Sequence, residues 1–218
     1  MTPDLTSLIA HYEKCLARFG ADHRGVDWPN AADLAVRFDV MLSIIDVPPS
    51  GPAVPSVLDL GCGPGLILDH IARTPGRPTI DYHGIDLSEH MVDAARNRWP
   101  DARFDVRDVI ADPLPPLSVD YVIINGVLTL KTTLSRDAMI DFAKKLIRAA
   151  FAAARIGVVF NVMSRHVDWE RDDLFHWSFD EVASFLTADV TRHIAFRSDY
   201  GLYELSAFAY RAPRRGAA

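Results

Sequence analysis

Residues 57 to 65 read VLDLGCGPG, and no other stretch of the chain narrows its fold as far. An apolar run carrying one acid, Asp59, gives way to glycines on alternate positions, Gly61, Gly63 and Gly65. A short apolar run bounded by such a turn reads as a strand buried on both faces. Glycine is required where the backbone takes positive φ or where a ligand comes too close for a Cβ. The stretch therefore predicts a buried strand whose carboxyl end opens into a turn stripped of side chains for a ligand. Amides at the start of the helix after Pro64 are free to face that ligand.

The rest of the chain fits this beginning. Strands are predicted near 56–60, 80–86, 103–107, 119–125, 156–162, 191–197 and 203–210, with helices near 65–73, 88–98, 136–152 and 179–187. Such alternation implies a mostly parallel sheet with helices on both faces. The final two strands are joined by a turn too short for a crossover, so they must pair antiparallel. Upstream, residues 4 to 19 and 32 to 47 have helical apolar spacing, and PPSGPAVP (48–55) reads as a linker. The expected organisation is a helical cap over 1–50, one α/β domain over 51–212 and a flexible tail over 213–218.

Totals exclude several classes of function. The 218 residues are 49% hydrophobic, which suits one domain with a substantial core. A formal charge of -6 provides no basic field for a nucleic-acid backbone. Cys15 and Cys62 are too few and too scattered for a disulfide framework, which fits a reducing cytoplasm. The N-terminal stretch lacks a signal-peptide pattern, and no run approaches the roughly 20 apolar residues that span a bilayer. A cytoplasmic protein without a membrane or nucleic-acid partner is expected, as a monomer or homodimer.

Two ligand classes compete for the glycine turn. A dinucleotide site wants G-x-G-x-x-G, but the third glycine falls one residue early and Leu66 takes its place. Asp59 at the strand end would also repel a pyrophosphate and attract a cation. At this point VLDLGCGPG resembles the first motif of the class I S-adenosylmethionine-dependent methyltransferases. The resemblance implies a Rossmann-like α/β fold, with a seven-stranded mostly parallel sheet, helices on both faces and a C-terminal antiparallel hairpin. It also implies S-adenosylmethionine as cofactor and S-adenosylhomocysteine as product.

Further motifs follow in family order. By that resemblance Asp59 serves the methionine ammonium, while Gly61, Cys62, Gly63 and Gly65 line the turn. In YHGIDLSEHM, Asp86 corresponds to the acid that binds both ribose hydroxyls, with Leu87 and Met91 beside the adenine. Asp108 and Val109 in FDVRDV correspond to the groups that meet the adenine amino group and ring. Asn125, Gly126 and Val127 border the methionine and the acceptor.

The flanking segments suggest the acceptor side. Trp28 and Arg37 are read as covering the cofactor, with Arg37 free for a carboxylate, and Tyr12 as a substrate contact. The segment NVMSRHVDWERDDLFHWSF offers His166 as a general base with Asp168 beside it, and Trp169 and His176 as substrate contacts. Tyr200 is placed at the pocket mouth. No carboxylate cluster follows the fourth strand, so no metal is expected there. These residues predict methyl transfer to a small molecule, with a hydroxyl of a sugar or secondary metabolite favoured because candidate bases are at hand. The alternatives are methylation of a protein, a peptide or a nitrogen, and a non-catalytic cofactor-binding regulatory subunit.

Overall fold

The computed structural model describes residues 5–45, 54–77 and 79–214. Most of the predicted linker and the predicted boundary between residues 50 and 51 lie outside the described residues. Eight strands form the sheet: β1 (Ser56–Leu60), β2 (Asp81–Asp86), β3 (Arg103–Val106), β4 (Val119–Ile124), β5 (Ala154–Ser164), β6 (His176–Trp177), β7 (His193–Arg197) and β8 (Glu204–Tyr210). Their order is β3-β2-β1-β4-β5-β8-β7, with β6 added beside the end of β5. The pairs among β1 to β5 are parallel, and β8 is antiparallel to both β5 and β7. The predicted seven-strand path is present, and β6 is additional.

Among the described residues, six helices flank the sheet: α1 (Thr6–Phe19), α2 (Ala31–Leu42), α3 (Leu66–Arg73), α4 (Glu89–Arg98), α5 (Arg136–Ala153) and α6 (Phe179–Asp189). Local sequence sets their starts. Asn30, Ser88, Ser135 and Ser178 each cap a helix by accepting a backbone N–H. Ser178 and Glu181 complete a reciprocal capping box.

Strand alternation divides the core in two. Leu58, Leu60, Val122, Ile124, Val158 and Phe160 pack with α5 and α6. Val57, Tyr121, Ile123, Val159 and Phe208 pack with α2, α3 and α4. The same alternation turns Asp59, Asn161, Glu204 and Ser206 toward the α2 side.

Glu204 to Ala209 of β8 are all buried, because the two halves of the core cover both faces of the strand. Both N-terminal helices also enter the core, α1 through Leu8 and α2 through Phe38, Met41 and Leu42. The tail is anchored at its start, where Arg214 Nη1 donates to the Ile44 carbonyl at 3.4 Å and the guanidinium lies over the Tyr210 ring.

Candidate functional site

Strand order reverses between β1 and β4, which leaves a crevice beyond their carboxyl ends where ligands of open α/β sheets bind. The glycine turn lies in this crevice. Gly61 has φ of 75°, and a Cβ there would meet Val127 Cγ2 at 2.1 Å. Gly61 and Cys62 donate their amides to the Ile85 carbonyl at 2.7 and 3.1 Å, folding the turn over the end of β2.

A cavity of about 160 Å³ opens in front of the turn. One water needs roughly 10–15 Å³, so the space suits a much larger molecule. Of the residues read as cofactor-binding, Gly61, Gly63, Asp86, Leu87, Met91, Asp108, Val109, Asn125 and Gly126 all line it. Asp59, Cys62 and Gly65 do not. Cys62 is turned into the α2–α4 core, where burial first and the charges of Asp86 and Asp59 next hold its thiol well above the usual range. Gly65 (φ 75°) has Trp99 and Phe104 close to where its Cβ would lie.

Asp86, at the end of β2, accepts the Gly63 amide at 2.9 Å and the Ser88 amide at 2.9 Å. Burial raises its pKa against these bonds. Asp59 is 4% exposed and accepts the Tyr82 hydroxyl at 2.9 Å. Burial pushes its carboxyl up to about 7, opposed by the Tyr82 bond and reinforced by the charge on Asp86. Asp108 accepts the amides of Ile110 and Ala111 at 2.9 and 3.3 Å, which forms the turn after β3. Asn125 Oδ1 is buried without a partner at the cavity wall.

The roof was anticipated only at Tyr12 and Trp28. Leu5, with Leu8, Ile9 and Tyr12 of α1 and Val26 and Trp28 of the following loop, lies over the cavity. The spacing of the α1 residues is an ordinary apolar helix stripe, so the sequence does not distinguish a roof from core packing. Glu13 ties α1 to the start of α4 by accepting Ser88 Oγ at 2.7 Å. Tyr12 hydrogen-bonds to Thr129, and burial, then the charge of Asp27, raise its pKa far enough to keep it a neutral phenol. Phe142 and Leu146 of α5 and Arg107 after β3 complete the walls.

Arg37 does not reach the cavity. It is 7% exposed and pairs with Glu204, its Nε donating to Oε1 at 2.5 Å. Glu204 Oε2 accepts Asn161 Nδ2 at 2.8 Å, and Asn161 Oδ1 accepts the Gly126 amide at 2.8 Å. The Arg37 guanidinium also stacks on Trp28 at 3.7 Å, and Trp28 Cζ2 comes within 3.2 Å of where a Gly126 Cβ would lie. A buried ion pair is thus wired to both the roof and the turn after β4.

The expected acceptor-side residues lie elsewhere. His166, Asp168, Trp169, His176 and Tyr200 are absent from the cavity lining. His166 is exposed and rests on Phe179, while Asp168 and Trp169 face solvent. His176 is buried, with Nδ1 donating to the Ser164 carbonyl at 2.7 Å and Nε2 accepting the Arg171 amide at 3.3 Å. Both ring nitrogens are therefore committed to the fold. Tyr200 hydrogen-bonds to Ser206 Oγ at 2.8 Å on the α2 side of the sheet.

Comparison with known proteins bears on this geometry. The methyltransferase-domain family model matches residues 57–149. A Mycobacterium tuberculosis protein named as a methyltransferase is 30% identical over 159 residues, covering 72% of this chain and 93% of that protein. The chain belongs to the class I S-adenosylmethionine-dependent methyltransferases. This methyltransferase is also 45% identical over 74 residues to a trans-aconitate 2-methyltransferase of Rhizobium meliloti, covering 34% of this chain and only 26% of that one. Its fold resembles a magnesium protoporphyrin IX methyltransferase from Synechocystis with bound S-adenosylhomocysteine (TM-score 0.63, 14% identity, 95% of each chain). It also resembles a protein solved as a DhpI complex with S-adenosylmethionine (TM-score 0.62, 18% identity, 97% of this chain and 100% of that one). The methyltransferase uses S-adenosylmethionine as its donor, and none of its described helices is long and apolar enough to cross a membrane.

Proposed function

We propose that this methyltransferase transfers the methyl group of S-adenosylmethionine to a small, largely apolar molecule held beneath α1 and the 26–28 loop. The observation that carries this reading is the roof, whose apolar residues close the cavity over the glycine turn. A cavity roofed in this way suits a small molecule better than a protein or peptide segment.

The cavity residues fit the donor. Asp86 and Asp108 are positioned for the nucleoside hydroxyls and amino group, Leu87, Met91 and Val109 offer apolar surface for the base, and Gly61 and Gly63 leave room beside the chain. The unpartnered Asn125 Oδ1 supplies an acceptor for the amino-acid end. Once bound, the donor supplies an activated methyl group on a sulfonium. The protein then has to hold the acceptor atom in line, exclude water and leave the departing thioether in place, and positioning of this sort contributes up to roughly 7–11 kcal/mol.

A hydroxyl acceptor loses the support that His166, Asp168 and His176 gave it. Among the described residues, the titratable side chains lining the cavity are Tyr12, Asp86, Arg107 and Asp108. Tyr12 is a hydrogen-bond donor rather than a base. The acceptor is therefore a nucleophile that loses its proton unaided, an amine or an acidic hydroxyl. A carboxylate-rich acceptor such as the trans-aconitate in the relatives' name is disfavoured. The one cation among the lining residues, Arg107, is held by Asp112 and the Pro113 carbonyl.

Isothermal titration with S-adenosylmethionine and S-adenosylhomocysteine tests the site. Micromolar binding is expected, and Asp86→Asn should weaken it about 10- to 150-fold, the equivalent of the roughly 1.5–3 kcal/mol of a charged hydrogen bond. A folded protein that binds neither ligand overturns the reading. Release of S-adenosylhomocysteine with apolar amines and phenols, set against carboxylate-rich acids, tests the acceptor class.

A further inference from the structure

Three side chains on the outer side of the roof have no part in the methyl-transfer site. His11 and Cys15 are four residues apart on α1, so their side chains stack on one face. Asp27 meets them from the loop that follows. His11 Nε2 lies 2.8 Å from Asp27 Oδ2 and 3.8 Å from Cys15 Sγ. All three potential ligand atoms are within 4.8 Å of one another.

The geometry points to a divalent metal site of the zinc class at His11, Cys15 and Asp27, with the fourth position open to water. Imidazole, thiolate and carboxylate are the donor types zinc takes, at roughly 2.0–2.1, 2.3 and 2.0–2.2 Å. Tetrahedral bonds of those lengths separate the ligand atoms by about 3.3–3.6 Å. The separations of His11 from Asp27 and Cys15, 2.8 and 3.8 Å, lie on either side of that interval, so small side-chain rotations bring the atoms onto a common centre.

Asp27 has φ of 61°, in the left-handed region that aspartate enters more readily than most residues with a side chain. That twist lets Val26 and Trp28 press on Gly63 and Gly126 while the carboxylate between them turns outward to α1. A bound ion would cross-link α1 to the 26–28 loop, the two parts of the roof. Burial and then the charge of Asp27 raise the Cys15 pKa, so the thiol is protonated without metal, and its proton leaves as the metal–sulfur bond forms.

The full-length chain, freed of metal with a chelator and titrated with Co²⁺, tests the site. One equivalent should produce thiolate-to-cobalt charge-transfer absorption, and Zn²⁺ should displace it. Cys15→Ser should abolish the absorption, whereas Cys62→Ser should leave it intact. His11→Ala and Asp27→Asn should each weaken zinc binding at least tenfold in a competition with a chelating dye. Absence of the cobalt–thiolate band, its survival in Cys15→Ser, or unchanged zinc affinity in both other variants overturns the proposal. Titration of the metal-free protein with S-adenosylhomocysteine reports separately on the donor cavity, so failure of one reading is distinguishable from failure of the other.

Discussion

Replacing Glu204 with Gln tests the buried network that joins the roof to the turn after β4. Glu204 is 1% exposed and its two oxygens are divided between Arg37 and Asn161. A glutamine keeps the shape but leaves the Arg37 cation buried without an anion. It also sets an amide nitrogen against either Arg37 or Asn161 Nδ2. Removing one partner of a buried pair costs about 3–5 kcal/mol. For a chain of 218 residues, each kcal/mol corresponds to roughly 2–4 °C, so the melting temperature should fall by about 6–20 °C. Differential scanning calorimetry measures this directly. Below the transition, S-adenosylhomocysteine affinity should also fall, because Asn161 no longer holds the Gly126 amide in one orientation. The double variant Arg37→Met with Glu204→Leu should recover much of the stability but not the ligand affinity, since Trp28 loses its stacking partner. A loss below about 1 kcal/mol for Glu204→Gln, or full recovery of affinity in the double variant, refutes the assignment of these residues to positioning.

Three other outcomes are expected. Gly61→Ala should abolish S-adenosylhomocysteine binding in titration calorimetry, and adding Val127→Ala should not restore it, because φ of 75° stays unfavourable after the clash is removed. Asp59 binds its proton more tightly in the folded protein, at about 7, than in the unfolded chain. Its contribution is therefore fully present below the unfolded pKa, near 4, and is lost as pH rises toward 7; in urea titrations Asp59→Asn should flatten that slope, and an unchanged slope would rule Asp59 out. His166→Ala should leave turnover within twofold of the parent once an acceptor is found, since its ring packs on Phe179 outside the cavity.

The sheet and the donor half of the site were legible for the same reason. Apolar strands ending in acids or glycines, repeated in order, fix both the topology and the residues at the strand ends, and Asp86, Asp108 and Asn125 all line the cavity. The acceptor half was not. A polar, aromatic segment such as the one holding His166 and His176 carries no signal of direction, and its buried members turned into the core rather than toward a ligand. Arg37 and Glu204 are 167 positions apart, and nothing local in either neighbourhood announces the pair. Of the roof, Tyr12 and Trp28 were read as ligand-facing, but Leu5, Leu8 and Ile9 were hidden in plain periodicity, because they would look the same against a sheet.

The position of β8 has a consequence for biosynthesis. β7 leaves the ribosome before β8, yet β8 lies between it and β5. A chain that has exposed residues up to 200 but not yet β8 therefore carries an open edge on β5 and a strand, β7, with no place in the sheet. Such edges attract other chains. Translation at roughly 5–20 residues per second leaves this interval short but finite. Closing the gap delivers Glu204 to Arg37 in the same event, so the turn that borders the donor cavity is pinned only when the sheet itself is sealed.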